Sequence, residues 1–140
     1  MPIGSRPPSG WQSTARPPRE PVGRFKLLFE KLDRIEDAVR AGVWKRQSEP
    51  PSTDAINNAR TVLGELRTHA LRPTGITPSA EGGLGIYFDR NQRYADVEIL
   101  NSGKILGVVS DKSGGVNAFE VMPSLEGYKE ALARIRDFLG

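Results

Sequence analysis

The stretch that most constrains the fold is residues 81–122, EGGLGIYFDRNQRYADVEILNSGKILGVVSDKSGGVNAFEVM. Short runs of alternating apolar residues are separated there by clusters of Asp, Asn, Ser and Gly. This pattern is typical of antiparallel strands joined by tight turns. We therefore predict a four-stranded antiparallel meander with strands at 84–88, 94–100, 104–110 and 116–122.

Helices are predicted on both sides of the meander. Residues 24–41 have helical periodicity and end at Gly42, where a C-terminal cap is expected. A second helix covers 54–71 and ends before Pro73, because the residue before proline avoids the helical conformation. A third helix follows Ser124 to the end of the chain. The order helix-helix-ββββ-helix predicts a two-layer α+β fold.

The second predicted strand distinguishes the two faces of the sheet. Side chains alternate along a strand, so Ala95, Val97 and Ile99 share one face, and Asp96 and Glu98 share the other. We expect the helices to cover the apolar face. The acidic face is expected to be in contact with water.

The charge distribution separates the chain into regions. The net charge is +3, and residues 1–24 account for it, with four Arg against one Glu. Residues 1–23 are rich in Pro, Ser, Gly and Arg and are predicted to be a disordered basic tail. They are followed by an amphipathic helix at 24–44, a proline-containing linker at 45–53 and an α+β domain at 54–140.

Several classes of function are disfavoured by what the sequence lacks. Cysteine is absent, so thiol catalysis, disulfides and cysteine-ligated metals are excluded. No apolar run approaches the roughly 20 residues of a membrane span, and we expect a cytoplasmic protein. No motif for a cofactor or a metal is found, and none is predicted.

The helix at 24–44 is the predicted contact surface. Its apolar residues recur at spacings of three and four in a narrow stripe, as in a coiled coil. The predicted partner-binding residues are Phe25, Leu28, Leu32, Ile35, Val39 and Trp44. The stripe binds a protein partner or a second copy under one interpretation, and it packs on its own domain under the other. Periodicity alone leaves both open.

A possible acidic patch consists of Glu81, Asp96 and Glu98. Asp96 and Glu98 are two residues apart on one strand, so their carboxylates are about 7 Å apart along it. Paired acids can bind a cation or transfer protons, so a hydrolase or metal-dependent enzyme is the third hypothesis. The alternative is a solvated face balanced by cross-strand basic residues such as Lys104.

The glycines at 82, 83 and 85 precede a predicted strand rather than a helix. Phosphate-binding loops have the opposite order, with the glycines between a strand and a following helix. A bulge or a close approach of two backbones is therefore the better interpretation.

Two resemblances bear on function. The order of helices and strands resembles the double-stranded RNA-binding domain with one additional strand. That family has lysines at the start of its last helix, whereas residues 124–130 here are acidic, so RNA binding there is not expected. The residues 78–83 (PSAEGG), 94–98 (YADVE) and 101–103 (NSG) resemble a group of short uncharacterised bacterial proteins, which implies a bacterial accessory protein.

These observations favour a small non-enzymatic protein-interaction module with an accessory, regulatory or antitoxin-like role. The alternative is a nucleic-acid-associated protein whose basic tail supplies weak, non-specific affinity.

Overall fold

A computed structural model describes residues 20–44, 49–110 and 113–140. In these residues the elements are α1 Glu20–Arg40, α2 Thr53–Thr68, β1 Gly75–Pro78, β2 Leu84–Arg90, β3 Arg93–Ile99, β4 Ile105–Ser110, β5 Val116–Val121 and α3 Leu125–Leu139. The five strands form one antiparallel sheet in the order β1-β2-β3-β4-β5. The predicted α+β class and the order of the helices around the sheet are confirmed.

The sheet has five strands, so the prediction of four was wrong. The additional strand is β1, which lies between the second predicted helix and the first predicted strand, where no strand was expected. β1 pairs with β2, and Ile76 lies opposite Ile86 with both side chains fully buried. Its four residues include Gly75 and Pro78, which are poor strand formers. They are tolerated here because an edge strand needs only one row of hydrogen bonds.

The first helix begins earlier than predicted. α1 starts at Glu20, four residues before the expected boundary at residue 24. It ends as predicted, and Gly42 has a φ of 73°, the left-handed conformation of a C-terminal cap. The predicted disordered tail therefore overlaps the helix at 20–23. Its remaining part, 1–19, and linker residues 45–48 lie outside the described residues.

Serine residues cap the other two helices. The Ser52 hydroxyl accepts a hydrogen bond from the Ala55 N–H at 3.1 Å, so Ser52 is the N-cap of α2, directly before its first residue, Thr53. Ser124 caps α3 as predicted, with its hydroxyl 3.1 Å from the Gly127 nitrogen. Each cap satisfies one of the backbone N–H groups that have no partner within the helix.

The helices lie side by side on one face of the sheet. α1 contacts β1, α2 contacts β2 and β3, and α3 contacts β3, β4 and β5. The core lies between the two layers and includes side chains from α1, so the predicted regions 24–44 and 54–140 share one core. No described helix covers the opposite face of the sheet. Nor is any described helix both long and apolar enough to cross a bilayer.

Candidate functional site

The candidate site lies on the uncovered face of the sheet, where polar and aromatic side chains from β2 and β3 meet. Strand alternation places Tyr94, Asp96 and Glu98 of β3 on this face. The antiparallel register places Tyr87 of β2 opposite Asp96, and Gly85 opposite Glu98. We call Tyr87, Tyr94, Asp96 and Glu98 the carboxyl–tyrosine cluster.

Asp96 is the buried member of the cluster. Its residue surface is only 8% exposed, and its Oδ1 atom makes no hydrogen bond with the described residues. Tyr87 and Val108 lie opposite Asp96 on the neighbouring strands, and Tyr94 and Glu98 flank it along β3. The expectation that this acid is in contact with water was wrong, because larger side chains surround the shorter aspartate.

Glu98 is half-buried and held against the neighbouring strand. A Cβ atom added to Gly85 would lie 3.0 Å from Glu98 Oε2, so the carboxylate occupies the space that the glycine leaves. The Ser79 hydroxyl donates a hydrogen bond to Glu98 Oε1 at 3.4 Å. The glycine and the serine together fix the position of the carboxyl group.

Burial makes both carboxyl groups weaker acids. Desolvation raises the pKa of Asp96, although interactions with Tyr94 and Glu98 oppose the shift. Desolvation, followed by the charge of Asp96, raises the pKa of Glu98 from 4.5 to about 7. Burial and Asp96 also raise the pKa of Tyr94 to about 12, so its hydroxyl stays protonated and able to donate a hydrogen bond.

The two tyrosines form an aromatic platform beside the acids. The rings of Tyr87 and Tyr94 are stacked, with centroids 6.4 Å apart and planes inclined by 17°. The Tyr87 ring lies over Gly75 of β1, where an added Cβ would come within 2.6 Å of the Tyr87 hydroxyl. Aromatic rings next to carboxylates suit a cation, because both the π face and the acids attract positive charge.

No ion pair among the described residues neutralises this cluster. Arg60 joins Asp33 and Glu36 between α1 and α2, Arg40 pairs with Glu36, and His69 lies near Glu65. None of these pairs includes Asp96 or Glu98. Lys104, which was expected to neutralise these acids across the strands, is in none of these pairs either. Two acids of this face therefore have no basic partner within the part of the chain that is described.

Glu81 belongs only to the periphery of the predicted acidic patch. It is exposed in the turn before β2, and its charge contributes a small part of the rise in the pKa of Glu98. The residues of ranges 20–44, 49–110 and 113–140 contain no group of three His, Cys, Asp or Glu suited to a metal ion. The cluster is thus a pair of carboxyl groups with a more distant third charge.

The predicted partner-binding stripe of α1 is mostly buried in its own chain. Leu32 is fully buried, and Phe25, Leu28 and Ile35 are 1%, 6% and 8% exposed within the shared core. These four side chains therefore pack in cis, the second of the two interpretations of the sequence.

The last two predicted contact residues remain partly accessible. Val39 and Trp44 are half-buried, and Trp44 packs against the core. Trp44 and Ile35 line a shallow groove of about 230 Å³ between α1 and Pro78. Partner binding through this end of α1 stays a prediction.

The residues that complete the cluster were not predicted as site residues. Tyr87 and Tyr94 are on the acidic face by strand alternation alone, and that signal was available. Gly85 and Ser79 could not be identified in the same way. Their roles depend on the register between β2 and β3 and on the turn that precedes β2.

Comparison with protein-family models, curated proteins and solved structures finds no match to this chain. The resemblance to short bacterial proteins accordingly stays a prediction.

Proposed function

We propose that this chain is a non-enzymatic protein-interaction module that binds an arginine-bearing segment of a partner protein on the open face of its sheet. The observation that carries the proposal is the buried Oδ1 atom of Asp96, which lacks a hydrogen-bond partner among the described residues. A buried carboxyl oxygen without a donor is costly in a folded protein. Because Oδ1 has almost no exposed surface, a ligand removes that cost when it displaces a neighbouring side chain and supplies the missing donor.

Arginine fits the cluster better than the other common cations. Its planar guanidinium donates several hydrogen bonds and can bind two carboxyl oxygens at once. The same plane stacks on aromatic rings such as Tyr87 and Tyr94. A lysine ammonium lacks the planar geometry. Ca²⁺ and Mg²⁺ take six or more ligands, mostly oxygen, and the described residues offer no group of even three His, Cys, Asp or Glu suited to a metal ion.

Two other classes of function have less support. Glu98, with a pKa of about 7, could act as a general base, and this is the observation in favour of an enzyme. However, catalytic sites are usually concave, whereas four cavities formed by the described residues lie elsewhere and are not lined by Asp96 or Glu98. An acidic face also repels phosphate, so nucleic-acid binding would depend on the tail, outside the described residues.

Calorimetric titration with a matched pair of peptides tests the proposal. The probe is the hexapeptide Gly-Arg-Pro-Pro-Arg-Gly, and its control has lysine in place of both arginines. The Arg-Pro-Pro core keeps the backbone extended without a helix. We expect the arginine peptide to bind more tightly than the lysine peptide at about pH 8, above the Glu98 pKa of about 7.

Variants of the protein then locate the binding. Asp96→Asn and Glu98→Gln should each weaken binding of the arginine peptide. Glu120→Gln removes an exposed acid from β5 on the same face and should leave binding unchanged. Equal losses in all three variants would indicate general charge attraction rather than a site, and equal binding of both peptides would contradict the choice of arginine.

A further inference from the structure

The two edges of the sheet are protected to different degrees. β1 forms one edge and has only four residues, including Pro78, which cannot donate a backbone hydrogen bond. β5 forms the other edge, has six residues and contains neither proline nor lysine. Short strands, proline and lysine are the usual devices that prevent an edge from pairing with another chain. β5 has none of them.

Exposed apolar side chains are concentrated along this second edge. Val116 at the start of β5 is 70% exposed, Met122 directly after the strand is 62% exposed, and Leu125 at the start of α3 is 65% exposed. They account for three of the six large hydrophobic residues that are exposed in the described part of the chain. Such a concentration beside an open row of backbone groups is typical of an interaction surface.

Most of β5 is exposed, chiefly on the open face of the sheet, where strand alternation places Val116, Ala118 and Glu120. Four of the six β5 residues are exposed, although the strand lies in a sheet with a well-buried centre. On the helical side, the Phe119 ring lies against Gly107 of β4 and under the guanidinium of Arg134, 4.1 Å from the ring centroid. The edge is thus held in place from within, and among the described strands only β4 pairs with it.

We propose that β5 pairs antiparallel with β5 of a second copy of this chain, so that two five-stranded sheets join into one. Backbone hydrogen bonds at the edge would supply affinity, as in other cases of strand addition. A two-fold axis makes the interface self-complementary, which is the commonest arrangement of homodimers.

The charge pattern of β5 favours its own copy as the occupant. Glu120 is the only charged residue of the strand. Pairing about Ala118 places Ala118 opposite its own copy and Glu120 opposite Val116 of the second copy. No like charges then face each other directly. The same register brings Val116, the most exposed large hydrophobic residue described, inside the paired segment.

Cysteine cross-linking tests the proposal, because the chain contains no cysteine of its own. In the proposed register, two copies of Ala118→Cys face each other across the axis within the range of a disulfide. We expect this full-length variant to form a disulfide-linked dimer under mild oxidation. The control Ser102→Cys, in the exposed turn between β3 and β4, should cross-link much more slowly.

Sedimentation equilibrium gives an independent result. The wild-type protein should approach twice its monomer mass of 15.4 kDa as concentration rises. In Ala118→Lys, two ammonium groups would face each other at the axis and repel. This variant should remain monomeric with an unchanged circular dichroism spectrum, whereas the control Ser102→Lys should dimerise. Because the carboxyl–tyrosine cluster is not part of the interface, Glu98→Gln should also dimerise. A wild-type monomer at all concentrations, or equal cross-linking at 118 and 102, would overturn the proposal.

Discussion

The carboxylate of Glu98 on β3 lies over the backbone of Gly85 on β2, in space that any other residue at position 85 would fill. An added Cβ would be 3.0 Å from Glu98 Oε2, closer than an ordinary van der Waals contact. The Glu98 carboxyl group, whose pKa is raised by burial, therefore packs directly against this glycine.

Gly85→Ala should therefore displace the Glu98 carboxylate toward water while the sheet stays folded. We expect the pKa of Glu98 to fall from about 7 toward its ordinary value of 4.5, since the loss of burial removes the main cause of the shift. Carbon-detected NMR titration of the carboxyl group measures the change. Gly64→Ala, at a helical site with no atom within 4 Å of the added Cβ, should leave the pKa unchanged.

The pH dependence of stability tests the environment of Glu98 separately. The folded-state pKa is raised above the unfolded value, so the unfolded chain binds fewer protons between about pH 4.5 and 7. The free energy of unfolding therefore falls as pH rises through this window, because the half-buried carboxyl group must ionise. A neutral glutamine avoids this loss. Glu98→Gln should raise the free energy of unfolding at about pH 8 by about 1–2 kcal/mol.

Urea denaturation at about pH 5 and pH 8 checks this prediction. The variant should show a smaller loss of stability between the two conditions than the wild type. The exposed Glu120→Gln serves as the control for removing one negative charge. A loss of stability in Glu98→Gln at pH 8 would contradict the proposed desolvation.

Leu32→Asp tests whether α1 packs in cis. Leu32 is fully buried, and an unpaired carboxylate in its place should lower the free energy of unfolding by more than about 4 kcal/mol. Leu27→Asp on the same helix replaces a side chain that is 61% exposed. This control should change the free energy of unfolding by less than about 0.5 kcal/mol. A folded Leu32→Asp protein with altered association would instead support the interpretation of α1 as a contact helix.

Asn101 connects the turn between β3 and β4 to the segment before α2. Its Oδ1 accepts a hydrogen bond from the Ser52 N–H at 2.7 Å, and its Nδ2 donates to the Pro50 carbonyl at 3.1 Å. Asn101→Ala removes both bonds and should lower the free energy of unfolding by about 1–3 kcal/mol. Thermal denaturation measures the effect, and Ser102→Ala in the same turn should have a much smaller one.

Much of the sheet could be predicted from the sequence because period-two alternation and turn residues act locally. β3 and the turn at 101–103 followed from such signals, and Gly103 in that turn has a positive φ of 95°, which glycine adopts without strain. β1 could not be predicted in this way. Its four residues carry a single large apolar side chain, Ile76, and the strand exists because β2 offers it a row of hydrogen-bonding groups.

The candidate site was predictable only in part, for a similar reason. Alternation placed Asp96 and Glu98 on one face, but the burial of Asp96 depends on neighbours that the register brings from other strands, such as Tyr87 and Val108. The orientation of the α1 stripe was not predictable either. A helix that packs on its own domain and one that packs on a partner show the same periodicity.

The most direct test of the proposed function is the pKa of Glu98 in the presence of the arginine hexapeptide. A guanidinium bound at the cluster favours the ionised carboxylate, so binding and proton release are linked. NMR titration should give a Glu98 pKa of about 7 for the free protein and a clearly lower value at saturating peptide. The lysine hexapeptide should produce a smaller shift at the same concentration. A Glu98 pKa that is the same with and without the arginine peptide would contradict the proposal that this face binds arginine.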